Sequence, residues 1–252
     1  MAATHEPAAI LSHLQSADGS ATFSYAGYTV TGAVNGPIEV QRRDELPEEA
    51  VVDVIVRPAA GVGGTRERHL ESLLQSTLRQ IILIGNFPRT LIQITLQVIV
   101  APENEYVNTK VTQASTNLPI LPALIQTSVL TLLSAAIPLT ATLTSATLAV
   151  MSDNGDSTTI ANPTAREIEL SKSLHVFVYT SHDELVLSES EGEFTFEEWS
   201  GAFEAARQQC CVQSQSEDVD MNNDAGAGAG ADLKGFTRST MEAQIASDLH
   251  WK

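Results

Sequence analysis

The sequence predicts a mixed α/β chain, with two long helices set inside a strand-rich frame. Three observations carry that reading. Apolar and polar residues alternate over 20–34, 50–57 and 91–100, the period-two signature of half-buried strands. Leu70, Leu73, Leu74, Leu78, Ile81 and Ile82 fall on one continuous helical stripe. Between Val111 and Ser152 there is no charged residue and no histidine, yet Pro119, Pro122 and Pro138 interrupt the run and Ser and Thr are scattered through it. A membrane-spanning helix needs about 20 mostly apolar residues without such breaks, so this stretch reads as a buried helix followed by a buried strand.

Taken in order, Phe23, Tyr25, Tyr28, Val30 and Val34 flank Gly27 and predict a hairpin turning at that glycine. Asn35-Gly36-Pro37 is expected to break the strand before a short segment at 38–41. Val52, Val54 and Val56 share one side of a strand at 50–57, and Pro58 to Gly64 is loop. The first long helix is expected to be capped by Thr65 and to end at Gly85-Asn86, with Pro88 preventing continuation. A strand at 91–100 presents Ile92, Ile94, Leu96, Val98 and Val100 on one face. After a loop from 101 to about 118, a mostly apolar helix at 121–136 ends ahead of Pro138. Strands are expected at 140–151 and 168–180 around an Asp-Asn-Gly-Asp turn, and at 183–189. The next helix, 196–211, opens with a capping box, Thr195 and Glu198, and with Phe194 and Trp199 at the positions of a hydrophobic staple.

From 213 to 231 the chain turns polar, acidic and then Ala/Gly-repetitive, a composition unable to bury the apolar surface that ordering requires. A last helix is expected at 236–250, with Met241, Ile245 and Leu249 spaced by four. The organisation read from this is an α/β domain at 1–211, a disordered insertion at 212–234 and a C-terminal helix at 235–252.

The 252 residues carry 14 Lys and Arg against 31 Asp and Glu, a formal charge of −17. Such a surface repels phosphate backbones, which excludes nucleic-acid binding through a broad basic face but leaves room for a narrow basic path or a basic partner. The two cysteines, Cys210 and Cys211, are adjacent and cannot staple distant segments, which fits a reducing compartment. No P-loop or dinucleotide fingerprint is present, since Gly61-Val-Gly-Gly-Thr lacks the required lysine and spacing. The six histidines show no metal-ligand spacing, and no Gly-x-Ser-x-Gly occurs, so neither a cofactor nor a metal is expected. The acidic pairs, among them Glu48-Glu49 and Asp153 with Asp156, sit in turns and helix starts where acids are favoured on structural grounds alone. Arginines are scarce, so their placement is informative: Arg42 and Arg43 follow the 38–41 segment, and Arg66 and Arg68 open the first helix. They would line a phosphate path or form surface ion pairs, Arg43 with Asp44 and Arg68 with nearby acids being the obvious examples.

The ordered series Asp18-Gly-Ser-Ala21, Gly36-Pro-Ile-Glu39, Arg57-Pro58, Gly64-Thr-Arg-Glu67 and Phe87-Pro-Arg-Thr90 resembles the landmarks of the ribonuclease PH family over about residues 8–211. Asp44-Glu-Leu-Pro47, Ile55-Val-Arg-Pro58 and Asn162-Pro-Thr-Ala165 are similar to its eukaryotic RNA exosome ring subunits. The resemblance implies the ribonuclease PH fold (ribosomal protein S5 domain 2-like) in a β-α-β-α arrangement. It implies a six-membered ring of related chains around an RNA channel, with S1/KH cap subunits, single-stranded RNA and a separate processive 3′→5′ exoribonuclease as partners, in the nucleus, nucleolus and cytoplasm. It also places channel-facing basic residues at Arg42, Arg43, Arg66 and Arg68.

Departures from the family pattern bear on activity. Where phosphorolytic members bind phosphate, this chain has Ser115-Thr-Asn-Leu-Pro-Ile120, with no arginine. A phosphate nucleophile needs backbone donors and a guanidinium, and proline lacks even the N–H. The general-acid position falls near Ser173, beside Lys172, and Asn162 stands where an Asp is common. A serine hydroxyl near its ordinary pKa cannot act as that acid at neutral pH. The expectation is a catalytically inert ring subunit. The alternative is an active 3′→5′ exoribonuclease, either phosphorolytic or metal-dependent and hydrolytic, the latter with Asp153 and Asp156 as its carboxylates.

Overall fold

The computed structural model describes residues 6–102, 118–153, 156–212 and 232–250. The elements are β1 (Ala8–Leu11), β2 (Gly19–Tyr25), β3 (Tyr28–Glu39), β4 (Val51–Arg57), α1 (Thr65–Ile81), β5 (Thr90–Val100), α2 (Leu121–Ser134), β6 (Leu143–Asp153), β7 (Asp156–Ala161), α3 (Ala165–Leu170), β8 (Ser173–Thr180), β9 (Leu185–Gly192), α4 (Phe196–Arg207) and α5 (Leu233–Asp248). A five-stranded sheet has the order β1-β2-β3-β5-β4 and a four-stranded sheet the order β7-β6-β8-β9. Among the described strands only β4 and β5 pair in parallel, joined through α1. A parallel pair requires such a crossover, so the α1 stripe and the two flanking strands are one packing unit.

The β2–β3 hairpin turns at Ala26 and Gly27, with φ of 51° and 82°. Both central residues of a tight hairpin turn of this hand need positive φ, which glycine adopts without strain. The expected break at Asn35-Gly36-Pro37 does not end the strand. The ladder with β5 shifts register between Asn35 and Ile38 and resumes, and the Gly36 N–H donates to Asp18 Oδ2 at 2.9 Å. An acid from the preceding turn thus satisfies the backbone donor that the irregularity frees.

The helix α1 starts where expected, but its cap is Gly64 rather than Thr65: the Gly64 N–H donates to the Glu67 carboxylate at 2.6 Å. It stops at Ile81, four residues before Gly85, because Ile82 leaves to bridge Leu139 and a short 3-10 turn occupies Ile84–Asn86. Its inner face also closes the open edge of β4: Glu71 Oε1 accepts the Val56 N–H at 2.9 Å and Gln75 Nε2 donates to the Val52 carbonyl at 2.7 Å.

The charge-free run forms α2 and β6. Helix α2 lies against β2 and β3 of one sheet and β6 of the other, buried on every side through Leu132. The hydroxyls there bond their own helix, Thr127 Oγ1 to the Ala123 carbonyl at 2.6 Å, Ser128 Oγ to Leu124 at 2.8 Å and Thr131 to Thr127, while Gln126 Nε2 donates to the Thr237 hydroxyl near the C-terminus. Gly32 on β3 allows the approach, since a Cβ there would sit 2.6 Å from Thr131 Oγ1. Among the described residues no helix is long and apolar enough to cross a membrane.

The second half corrects several expectations. Residues 168–170 are helix, not strand: Thr164 and Glu167 form a second capping box that starts α3. One partner of β6 is β7, an element the pattern did not reveal, as it did not reveal β1. The Thr195/Glu198 box caps α4 as expected. Regular helix ends at Arg207 and continues as a wider turn through Val212. The staple partners diverge: Phe194 lies edge-on to His175 at 4.9 Å, while Trp199 stacks between Phe196 and Phe203. Helix α5 begins at Leu233, capped by Asp232, two residues ahead of the 235 boundary. It buries Leu233 and Thr237 in its first turn and leaves Ile245 and Leu249 about half exposed. Neither Cys210 nor Cys211 is in a disulfide among the described residues. The segment expected to be disordered, 213–231, lies outside the described residues.

Candidate nucleic-acid interface

The four arginines singled out from the sequence form two pairs at opposite ends of the five-stranded sheet. Glu39 aligns with Thr90 and Val51 with Leu91 at one end, while Arg57 aligns with Gln97 at the other. Six strand residues at about 3.3 Å each separate the ends by about 20 Å. Arg42 and Arg43 occupy the turn just beyond β3 at the first end. Arg66 and Arg68 lie in the opening turn of α1 at the second, because α1 runs back along β4 from Glu71 beside Val56 to Arg79 beside Glu49.

Two of these guanidinium groups already face a carboxylate. Arg43 Nε lies 3.6 Å from Asp44 Oδ1, and Arg68 Nη1 lies 3.5 Å from Glu71 Oε2. At the β3 end, Arg89 pairs with Glu45 at 3.3 Å and Arg79 with Glu49. The Arg43 and Arg68 side chains are 85% and 84% exposed, and pairs that open to solvent contribute about 0–1 kcal/mol, so a phosphate oxygen can replace the carboxylate. Arg42 is exposed and makes no ion pair among the described residues. Arg66 is half-buried in the first turn of α1 and has interactions of its own.

The corner expected to hold a general acid has a different construction. Ser173 and His175 are buried on β8, with the Ser173 hydroxyl 3.0 Å from His175 Nε2. His175 Nδ1 is 2.8 Å from the Ser190 hydroxyl on β9. Burial lowers the His175 pKa from its ordinary 6.5, the Glu198 charge opposing this. Lys172 Nζ is held by both Glu198 oxygens, at 2.9 and 3.0 Å. Hydrogen bonds from the Thr195 backbone and from Lys172 keep the Glu198 carboxyl below its ordinary range. This Ser-His-Ser chain escaped the sequence reading. The Ser173-x-His175 alternation puts both on one face, but Ser190 joins them only through the β8–β9 register.

Asn162 sits at φ 52° with its N–H donating to the Thr147 carbonyl at 2.8 Å. It lines a cleft with Tyr25, Tyr28, Pro119 and Pro122 whose cavity of about 30 Å³ admits a water rather than a nucleotide. Residues 115–117 of the expected phosphate segment lie outside the described residues. Leu118, Pro119 and Ile120 form a buried 3-10 turn leading into α2. Asp153 and Asp156 are partners across the β6–β7 ladder. Among the described residues no three His, Cys, Asp or Glu side chains converge as a metal site would require. Burial pushes the Cys210 thiol up to about 12, so it is not a nucleophile at neutral pH.

Comparison with known proteins places this geometry. Residues 7–152 match the model of the 3′ exoribonuclease family, domain 1. The chain is 33% identical over 207 residues to the exosome complex component RRP46 of Saccharomyces cerevisiae, covering 80% of this chain and 87% of that one. Among solved structures it is similar to rice (Oryza sativa) Rrp46, with a TM-score of 0.71, 24% identity and coverage of 94% of this chain and 95% of that one. A chain of the Archaeoglobus fulgidus exosome with RNA bound to the active site has a TM-score of 0.63 at 13% identity, covering 84% and 87%. The two structural likenesses carry the fold.

Proposed function

The chain belongs to the 3′ exoribonuclease family of ribonuclease PH domains, and we propose that it acts as a non-catalytic ring subunit of an RNA exosome. Its task is to complete a six-membered ring of related chains beneath S1/KH caps. The ring threads single-stranded RNA toward a separate processive 3′→5′ exoribonuclease, in the nucleus, nucleolus and cytoplasm. The likeness to the yeast RRP46 component over most of both chains supports the assembly.

The observation that carries the absence of catalysis is the Ser173-His175-Ser190 chain. A general acid must present an ionisable proton to the leaving oxygen at neutral pH. The Ser173 hydroxyl is buried and already engaged with His175, and the neighbouring Lys172 is engaged with Glu198. A buried serine hydroxyl is not an ionisable acid at neutral pH, and the lysine is held in its ion pair with Glu198.

Arg42, Arg43, Arg66 and Arg68 contribute phosphate contacts at two levels of the channel rather than at one patch. A ring pools such contacts from several chains, so a subunit of net charge −17 can still belong to an RNA path.

The test is release of nucleoside diphosphates from an oligoRNA with inorganic phosphate, and of nucleoside monophosphates with magnesium and no phosphate, by the purified chain. No release above the no-protein rate is expected. Turnover that disappears on Asp153→Asn or Asp156→Asn would overturn the reading in favour of an active exoribonuclease.

A further inference from the structure

On the outer side of the four-stranded sheet, α4 carries Phe196, Trp199 and Phe203 at i, i+3 and i+7. Trp199 and Phe203 stack at 5.5 Å and 14°, and Phe196 and Trp199 at 6.2 Å and 22°. The inner end of this ladder belongs to the core, where Phe203 and Trp199 pack on Phe177. The outer end does not: Phe196 is 78% exposed and Phe194 41%. An aromatic ring left so exposed at a helix start contributes little to the fold, whose local stability comes from the Thr195/Glu198 box and the Lys172 clamp.

The charge around these rings decides what can cover them. Glu193 precedes Phe194 and Glu197 follows Phe196; both are exposed, and neither makes an ion pair among the described residues. The nearby cation, Lys172, is committed to Glu198. A nucleic acid would stack its bases here only by bringing phosphates against carboxylates. A second copy of this chain would bring the same acids and a further −17. A guanidinium has neither problem: its planar face stacks on an aromatic ring, and its N–H groups reach carboxylates at the rim.

We propose that the Phe194–Phe196–Trp199 surface is a docking site for an arginine-bearing apolar segment of a partner polypeptide. Arginine stacks on Phe196 and bonds Glu193 or Glu197, and the partner's apolar residues cover Phe194.

The test uses the full chain with Trp251→Phe, which leaves Trp199 as its sole tryptophan. Trp199 fluorescence is followed during titration with a peptide of alternating arginine and leucine, with the same peptide carrying glutamate for arginine, and with oligouridylate. Saturable change with the arginine peptide alone is expected. Phe196→Ala should weaken it roughly two- to fivefold. E193Q with E197Q should weaken it further and flatten its salt dependence, whereas E48Q, at the far end of the other sheet, should leave it unchanged. Equal loss in E48Q would reduce the binding to general charge attraction and overturn the proposal. A response to oligouridylate, or none to any probe, would overturn it as well. Phe196 is mostly exposed, so its variant retains the fold.

Discussion

His175 is buried between two hydroxyls, and this placement ties its protonation to the stability of the sheet. Burial holds its folded-state pKa below 6.5, so the unfolded chain takes up the proton first as pH falls. The stabilisation is therefore complete above about pH 6.5 and is lost progressively as pH drops toward the folded-state value. Urea unfolding of the native chain between pH 7.5 and 5.5 should give a free energy that declines with acidification, and His175→Phe should flatten that slope. Parallel slopes would contradict the assignment. The residue scale is also where sequence reading reached least far. Ser173 was legible as a departure from an acid, but the Ser190 hydroxyl that completes its chain with His175 is brought there only by the β8–β9 register. Arg43 with Asp44, adjacent in sequence, was legible as a pair, whereas Arg89 with Glu45 needed the fold.

At the scale of elements, α1 does two jobs with adjacent stripes of its inner face. Its leucines fill the core, and Glu71 and Gln75 occupy the hydrogen-bonding edge of β4, which would otherwise be open to another strand. Glu71→Ala should cost about 1–3 kcal/mol by leaving the Val56 N–H without an acceptor. It should also raise self-association measured by sedimentation; unchanged values in both would show that water serves this edge equally well. Strongly periodic elements were legible because their pattern is the cause of their burial: α1, α2, β5 and the β2–β3 hairpin lie where the apolar spacing puts them. Elements specified by pairing alone were not. Strand β7 is polar, with Ser157, Thr158 and Thr159, and is a strand because β6 presents it a ladder. Residues 168–170 contain Ile168 and Leu170 and suit a strand, yet the Thr164/Glu167 box commits them to α3 before any sheet contact is made.

For the whole molecule, two sheets clasp a helix that is buried on nearly every side, leaving the charged groups to the periphery. That arrangement separates Arg42 and Arg43 from Arg66 and Arg68 by the length of a strand, a separation invisible in the sequence, where both pairs simply flank β4. It also converts the net charge from an obstacle into a division of labour. In the proposed reading, the arginines at the ends of one sheet meet phosphate, and the acid-rimmed aromatic face of α4 on the other meets basic protein.

The most direct measurement is native mass spectrometry of this chain co-expressed with five other ribonuclease PH-like exosome subunits. One copy per six-membered ring is expected, with ring formation retained in the Asp153→Asn and Asp156→Asn variants. Absence from the ring, or recovery only as a homo-oligomer that degrades RNA, would contradict a scaffold role.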